Sequence, residues 1–185
     1  LCAAPGGKAF QIISKNANLD LIEINPNRAN ILINNLKRLN IDGKVKIENS
    51  LNLNESKKYD FVIIDAPCSA VGTIRRNPEI FFRNTSPKFN EIKKIQTNLL
   101  NKGKKLINSK GTIIYMVCSF LEIETTNLID DFLKKNPQFT INKFLSNENN
   151  KELIDERGFI NIIPKTFDGI NIDGFFAAKL KYKYG

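Results

Sequence analysis

Two cysteines carry most of the chemistry this chain can do. Cys68 follows the run Phe61-Val-Ile-Ile-Asp65-Ala-Pro, and Cys118 follows Thr112-Ile-Ile-Tyr-Met-Val117. Each apolar run reads as a buried strand. Both thiols therefore stand at strand ends, where open α/β sheets bind their ligands. Each cysteine precedes a serine, and Asp65 lies just before the first. Free cysteine often only fills core space. It is also the strongest side-chain nucleophile at neutral pH once its thiolate is stabilised. The chain has no histidine, so activation must come from Lys, Arg or backbone N–H groups. His-based triads and His-ligated metals are excluded, and no CxxC pattern suggests zinc. No metal is expected.

A third feature opens the chain. Leu1-Cys2-Ala3-Ala4-Pro5-Gly6-Gly7-Lys8 is a loop of small residues with paired glycines, which permit positive φ and close approach of a ligand to the backbone. The helix after it, over about Lys8 to Ser14, would aim free N–H groups at an anion. Glu23 ends the next strand, where nucleotide-binding folds hydrogen-bond a ribose. Such a loop alone would also permit an NAD-type oxidoreductase, but there is no GxGxxG. Thiol nucleophile, nucleoside cofactor and basic surface together point to methylation of a pyrimidine. A thiolate added to cytosine C6 turns C5 into an enamine-like carbon that can take a methyl group from S-adenosylmethionine. A carboxylate such as Asp65 would hold N3 and N4 of the ring. At this level either thiol could attack.

Composition sets the frame. The 185 residues, 42% hydrophobic, suffice for one globular domain, and the net charge of +9 favours a polyanion such as RNA. Arg75 and Arg76 can grip phosphate or carboxylate by bidentate bonds, or can simply close their loop. Three unpaired thiols imply a reducing, cytoplasmic setting. No run is long enough to cross a membrane, and there is no signal-peptide layout.

The positioning elements follow in order. Strands are expected at Leu19–Ile24, Val45–Ile47, Phe61–Ile64 and Gly111–Val117. Asn25-Pro26 caps a helix running to Leu39, with Ala29, Leu32, Leu36 and Leu39 inward. Ser86-Pro87 opens a helix burying Ile92, Ile95, Leu99, Leu100 and Ile107, with its lysines in water. A helix to Lys135 buries Leu128, Ile129 and Phe132. Phe139–Phe144 is strand-like and Ser146–Asn150 a polar, mobile loop. Phe159–Ile163 and Gly174–Leu180 would form an antiparallel edge hairpin. Position 1 falls where a strand should already have preceded the glycine loop, so the sequence reads as an N-terminally truncated fragment comprising a single domain.

LCAAPGGK, DAPCSAVGTIRRNP, YMVCS and DGFFAAKL, in that order, resemble the RsmB/Sun (Fmu) family of RNA cytosine-5 methyltransferases over nearly the whole chain. The resemblance implies a Rossmann-like class I S-adenosylmethionine-dependent methyltransferase, with a mixed sheet, helices on both faces and the first strand missing from the chain. By the same resemblance Cys2 to Lys8 surround the methionine part of the cofactor and Glu23 binds the ribose. Asn49 lies near adenine, and Asp65 is the acid of the fourth family strand. Cys118 becomes the nucleophile and Cys68 assists product release. The implied substrate is RNA, with 16S rRNA expected; apart from the resemblance, a monomer is expected. The family's N-terminal RNA-binding domain is absent from the chain, and weak cofactor binding is expected of these residues alone. Four positions depart from the pattern: Val117 and Ala9 stand where Thr is usual, Asn49 removes a carboxylate, and Thr125 replaces Asn. Two other readings remain open. One is a DNA cytosine-5 methyltransferase, which would use Cys68; the other is a non-catalytic RNA-binding or ribosome-assembly protein retaining the fold.

Overall fold

The computed structural model describes residues 1–148 and 150–184, which pack as two compact units, residues 1–56 and 57–185. Asn149, within the polar loop expected over Ser146–Asn150, lies outside the described residues, as does Gly185.

The first unit is α1 (Gly7–Ile13), β1 (Asp20–Glu23), α2 (Pro26–Arg38) and β2 (Lys44–Ile47), closed by a 3₁₀ turn at Ser50–Asn52. β1 and β2 pair in parallel, with Glu23 opposite Ile47. The expected cap of α2 is present: Asn25 Oδ1 accepts from Arg28 N at 3.1 Å, and Pro26 takes the first helical position. Such caps are worth about 1 kcal/mol. Ala29, Leu32 and Leu36 face the core, but Leu39, just past the last turn, is 41% exposed. Ala4, Ala9, Leu21, Leu32 and Leu36 form the buried cluster, so the glycine loop is rooted in the same core as the strand and helix.

The second unit holds the larger sheet. Its elements are β3 (Tyr59–Asp65), α3 (Phe89–Leu106), β4 (Ile107–Val117), α4 (Thr126–Lys135), β5 (Phe139–Ile141), β6 (Ile160–Ile162), β7 (Lys165–Phe167), β8 (Ile170–Ile172) and β9 (Phe175–Tyr182). The order is β3-β4-β9-β5, with β6 also on β9. β3 and β4 run parallel through the α3 crossover, and β9 is antiparallel to β4, β5 and β6. This is the expected α/β plan with a mixed sheet. Because β3 and β4 are parallel and in register at Asp65 opposite Met116, the turns carrying Cys68 and Cys118 leave the same end of the sheet.

Several expectations need correction. Phe61 is 62% exposed rather than buried, because only alternate residues of β3, such as Val62 and Ile64, point into the core. α3 begins at Phe89, past the Ser86-Pro87 signal, and Ile107 belongs to β4. Ile95 is 46% exposed, while Gln96 and Lys102 are buried in its place. The two C-terminal strands do pair, Ile160 opposite Ala177, but β9 is interior: β4 holds its other edge. The small β7–β8 hairpin was not anticipated, as its residues read as polar connection.

Candidate active site

The cysteine-bearing turns are built from their strands outward. Beyond β3, Ala66 N donates to Met116 O at 3.0 Å, continuing the ladder one residue into the turn. Pro67 then rigidifies the chain, and Gln96 Nε2 of α3 donates to its carbonyl at 2.9 Å. Ala70 turns back at φ 62 into a 3₁₀ turn, Val71–Thr73. Gly72 N donates to Cys118 O at 3.0 Å, and Gly174 N donates to Gly72 O at 2.8 Å. A Cβ on Gly72 would lie 2.2 Å from Gly174 O, so only glycine lets these three backbone segments meet. They bring Cys68 Sγ and Cys118 Sγ to 3.3 Å, within sulfur hydrogen-bond distance. Both are only partly buried and neither forms a disulfide.

Beneath the sulfurs lies a buried acid that sequence reasoning missed. Glu124 is fully buried. Its Oε1 accepts from Ser69 N at 2.8 Å and Gln96 Nε2 at 3.3 Å. Its Oε2 accepts from Ser69 Oγ at 2.5 Å and Ser119 Oγ at 2.6 Å. Tyr115 of β4 donates its hydroxyl to Glu124 O at 2.8 Å. An isolated buried carboxylate is penalised by several kcal/mol; four donors fill the roughly four acceptor positions a carboxylate has. The repeated Cys-Ser pair was the one signal that could have pointed here, since two buried hydroxyls ask for a shared acceptor.

The Cys68 thiol is electrostatically perturbed. The hydrogen bond with Cys118 and burial push the Cys68 thiol far up; the Glu124 charge adds to the rise, against the Ala70 N–H. Cys68 therefore keeps its proton at neutral pH, and either sulfur can be the donor of the pair.

Arg75 and Arg76 take the loop-closing option. Both pair with Asp173, Arg75 Nη2 at 3.2 Å and Arg76 Nε at 2.5 Å, although they are 43% and 61% exposed. Such exposed pairs stabilise by at most about 1 kcal/mol each. Arg83 Nη1 donates to Ser69 O at 3.1 Å, a third guanidinium at this turn. Asp65, half-buried, is the last residue of β3 and three residues ahead of Cys68.

The remaining predicted residues lie in the first unit. Ala3 N donates to Ile22 O at 3.0 Å, laying Cys2–Ala4 along β1. Glu23 is 1% exposed; its Oε2 accepts from Ala4 N at 3.3 Å and its Oε1 from Asn25 N at 3.0 Å. Arg28 Nη2 donates to Ala4 O at 2.6 Å, and Asn35 Nδ2 donates to Pro5 O at 3.2 Å. The loop is thus tied to its own unit on both sides. The paired glycines divide their work. Gly6 sits at φ 109, and a Cβ there would strike Phe10 and Leu32; a Cβ on Gly7 would meet nothing within 4 Å. Gly6 serves packing, Gly7 faces open space and Lys8 is exposed. Asn49 Oδ1 accepts from Leu51 N at 3.0 Å, capping the 3₁₀ turn. α1 has only seven residues, too short for its N-terminus to serve as an anion site by itself.

Residues 1–181 match the family model described as 16S rRNA methyltransferase RsmB/F. The chain belongs to that family. It is 34% identical to "Ribosomal RNA small subunit methyltransferase B" of Enterobacter sp. (strain 638), and 33% identical to the protein of the same name from Photorhabdus laumondii. Both matches cover 97% of this chain and 41% of the relative. The chain thus spans about two fifths of the length of these curated RsmB relatives. Among solved structures, NSun6 from Pyrococcus horikoshii with SFG superposes with a TM-score of 0.79 at 21% identity, over 98% of this chain and 46% of that one. The RsmB/F family fold here is Rossmann-like, as in S-adenosylmethionine-dependent methyltransferases. No helix among the described residues is long and apolar enough to cross a membrane.

Proposed function

We propose that the chain is the catalytic part of an S-adenosylmethionine-dependent methyltransferase acting on C5 of a cytosine in RNA, with 16S rRNA as substrate. The observation that carries this reading is the approach of two sulfurs, 3.3 Å apart, from strand ends fifty residues apart in sequence. The relatives' names supply the rRNA, and the neighbour determined with SFG, an analogue of S-adenosylmethionine, supplies the cofactor class.

Cys118 is the nucleophile. Its sulfur adds to C6 of the ring, and the C5–C6 π electrons shift toward N3 and O2, leaving C5 electron-rich. Asp65, at the end of β3, holds N3 and N4. After C5 is methylated, its proton passes to solvent, the C5–H electrons re-form the C5–C6 double bond, and the S–C6 pair leaves with Cys118 as thiolate. Cys68 donates its S–H to Cys118 sulfur throughout, which favours the thiolate both as attacking and as leaving group. Burial and the Cys118 contact raise the Cys68 thiol, which counts against the DNA-type mechanism with Cys68 as attacker.

The first unit's residues fit the cofactor. Glu23 uses only two acceptor positions on backbone N–H groups, leaving capacity for ribose hydroxyls. Cys2–Lys8 with the open side at Gly7 would flank the methionine part, and Asn49 the adenine. Bound S-adenosylmethionine supplies the methyl group as an electrophile. Arg75 and Arg76 retain N–H groups beyond their Asp173 contacts, and we assign these to RNA phosphates. The test is trapping with RNA containing 5-fluorocytosine, using the full-length enzyme. A covalent adduct should form with the wild type and vanish in Cys118→Ala; an adduct that persists in Cys118→Ala overturns the assignment.

A further inference from the structure

The RsmB/F family assignment and the two-thiol mechanism leave Glu124 without a role. We infer that Glu124 is the positioning residue of the thiol pair: its carboxylate sets the separation of Cys68 and Cys118. The inference rests on the reading of those cysteines as a working pair.

The geometry is a two-sided clamp. Ser69 and Ser119 directly follow the two cysteines, and both hydroxyls bond to the same oxygen, Glu124 Oε2, at 2.5 and 2.6 Å. Ser69 N also bonds to Oε1. Adjacent Cα atoms are about 3.8 Å apart, so a bond fixed at each serine restrains the sulfur one residue away. The acid itself cannot drift, because Tyr115 holds its backbone carbonyl at 2.8 Å and Gln96 reaches both Oε1 and Pro67 O. Ser119 Oγ in turn accepts from Leu121 N at 3.2 Å, fixing its rotamer. The Gly72 N–Cys118 O bond ties the two turns on their outer side; the Glu124 clamp ties them beneath the sulfurs. The Glu124 charge also raises the Cys68 thiol, but the clamp itself acts through the two serines.

A carboxylate suits this task better than an amide. Four donors converge on it, whereas glutamine offers one acceptor oxygen and brings donors of its own. Glu124→Gln keeps the volume but must lose part of the clamp.

The test uses the full-length protein in a glutathione redox buffer, reading the Cys68–Cys118 disulfide by mass spectrometry. Its equilibrium with glutathione reports the effective concentration of one thiol at the other. In folded Glu124→Gln that concentration should fall about tenfold, and kcat should fall similarly while KM for RNA stays within about twofold. An unchanged effective concentration overturns the inference. If Glu124→Gln does not fold, Ser119→Ala removes one arm only. It should give a drop of about threefold, and no drop there overturns the inference equally. A fall in effective concentration accompanied by 5-fluorocytosine trapping that survives Cys118→Ala would leave the clamp standing and remove the nucleophile assignment.

Discussion

Each unit buries one glutamate at the C-terminal side of a strand, and the two are used oppositely. Glu23 accepts two backbone N–H groups, from Ala4 and Asn25. Glu124 accepts four donors, three of them from the residues that follow the two cysteines. Burial is the same, at 1% and 0% exposure; saturation is not. An acid with spare acceptor capacity beside an open loop can still take a ligand. An acid with every position filled can only hold its surroundings. The proposed cofactor role therefore suits Glu23, and the inferred positioning role suits Glu124.

The comparison breaks most directly through stability. Glu124→Ala orphans four neutral donors in a closed interior and should destabilise the full-length protein by about 3–5 kcal/mol in urea unfolding, on the order of 1 kcal/mol for each donor. Glu23→Ala leaves two backbone N–H groups at a loop and should cost about 1–3 kcal/mol. A loss at Glu23 equal to or above that at Glu124 would erase the distinction. The glycines extend it. Gly72→Ala drives a Cβ against Gly174 O and should lose about 1–3 kcal/mol by forced backbone movement. Gly7→Ala meets no atom within 4 Å and should stay within about 0.5 kcal/mol. If Gly7→Ala proves the more damaging to stability, the loop is not open as described.

Ligand affinity sharpens the same contrast. Glu23→Gln should weaken binding of S-adenosylhomocysteine about tenfold in titration calorimetry, or about 1.4 kcal/mol. Glu124→Gln should leave that affinity within about twofold. Equal losses in the two variants would mean that the acids do not divide the labour.

Sequence reasoning singled out Glu23 and passed over Glu124 for a physical reason. Glu23 ends a short, largely buried strand, and its partners Ala4 and Asn25 come from the same compact unit. Its meaning can be read from neighbours. Glu124 sits in a short 3₁₀ turn, Glu122–Glu124, with no periodicity to mark it as inward. Its partners come from the turn at Ser69 and from Gln96, which chain order does not bring together. The cysteines themselves were legible, because an apolar run ending in Cys-Ser occurs twice and parallel strands put such ends side by side. Arg75 and Arg76 were legible as charges but not as partners: Asp173 lies nearly a hundred residues on. Phe61 and Ile95 were misread because an apolar residue in a pattern need not face inward when its element has two faces. Gln96, polar in sequence, took the buried place because Pro67 O and Glu124 needed a donor.

The last contrast lies between the two thiols and is read by pH. The hydrogen bond with Cys118 and burial raise Cys68 above its ordinary value of 9.0. A raised folded-state value means that the folded protein holds a proton which the unfolded chain releases, once pH passes the ordinary cysteine value. Stability contributed by this group is therefore full below about pH 9 and declines above it as the unfolded chain ionises. Cys68→Ser removes the titrating thiol while keeping a hydroxyl donor near Cys118. The wild type should lose more stability than Cys68→Ser between pH 8 and about pH 10 by about 1 kcal/mol, since each pH unit beyond the unfolded value is worth about 1.4 kcal/mol for one proton. Lysine titration is common to both proteins and cancels in the difference. Parallel stability curves for the two proteins over that range would show that Cys68 ionises as readily folded as unfolded.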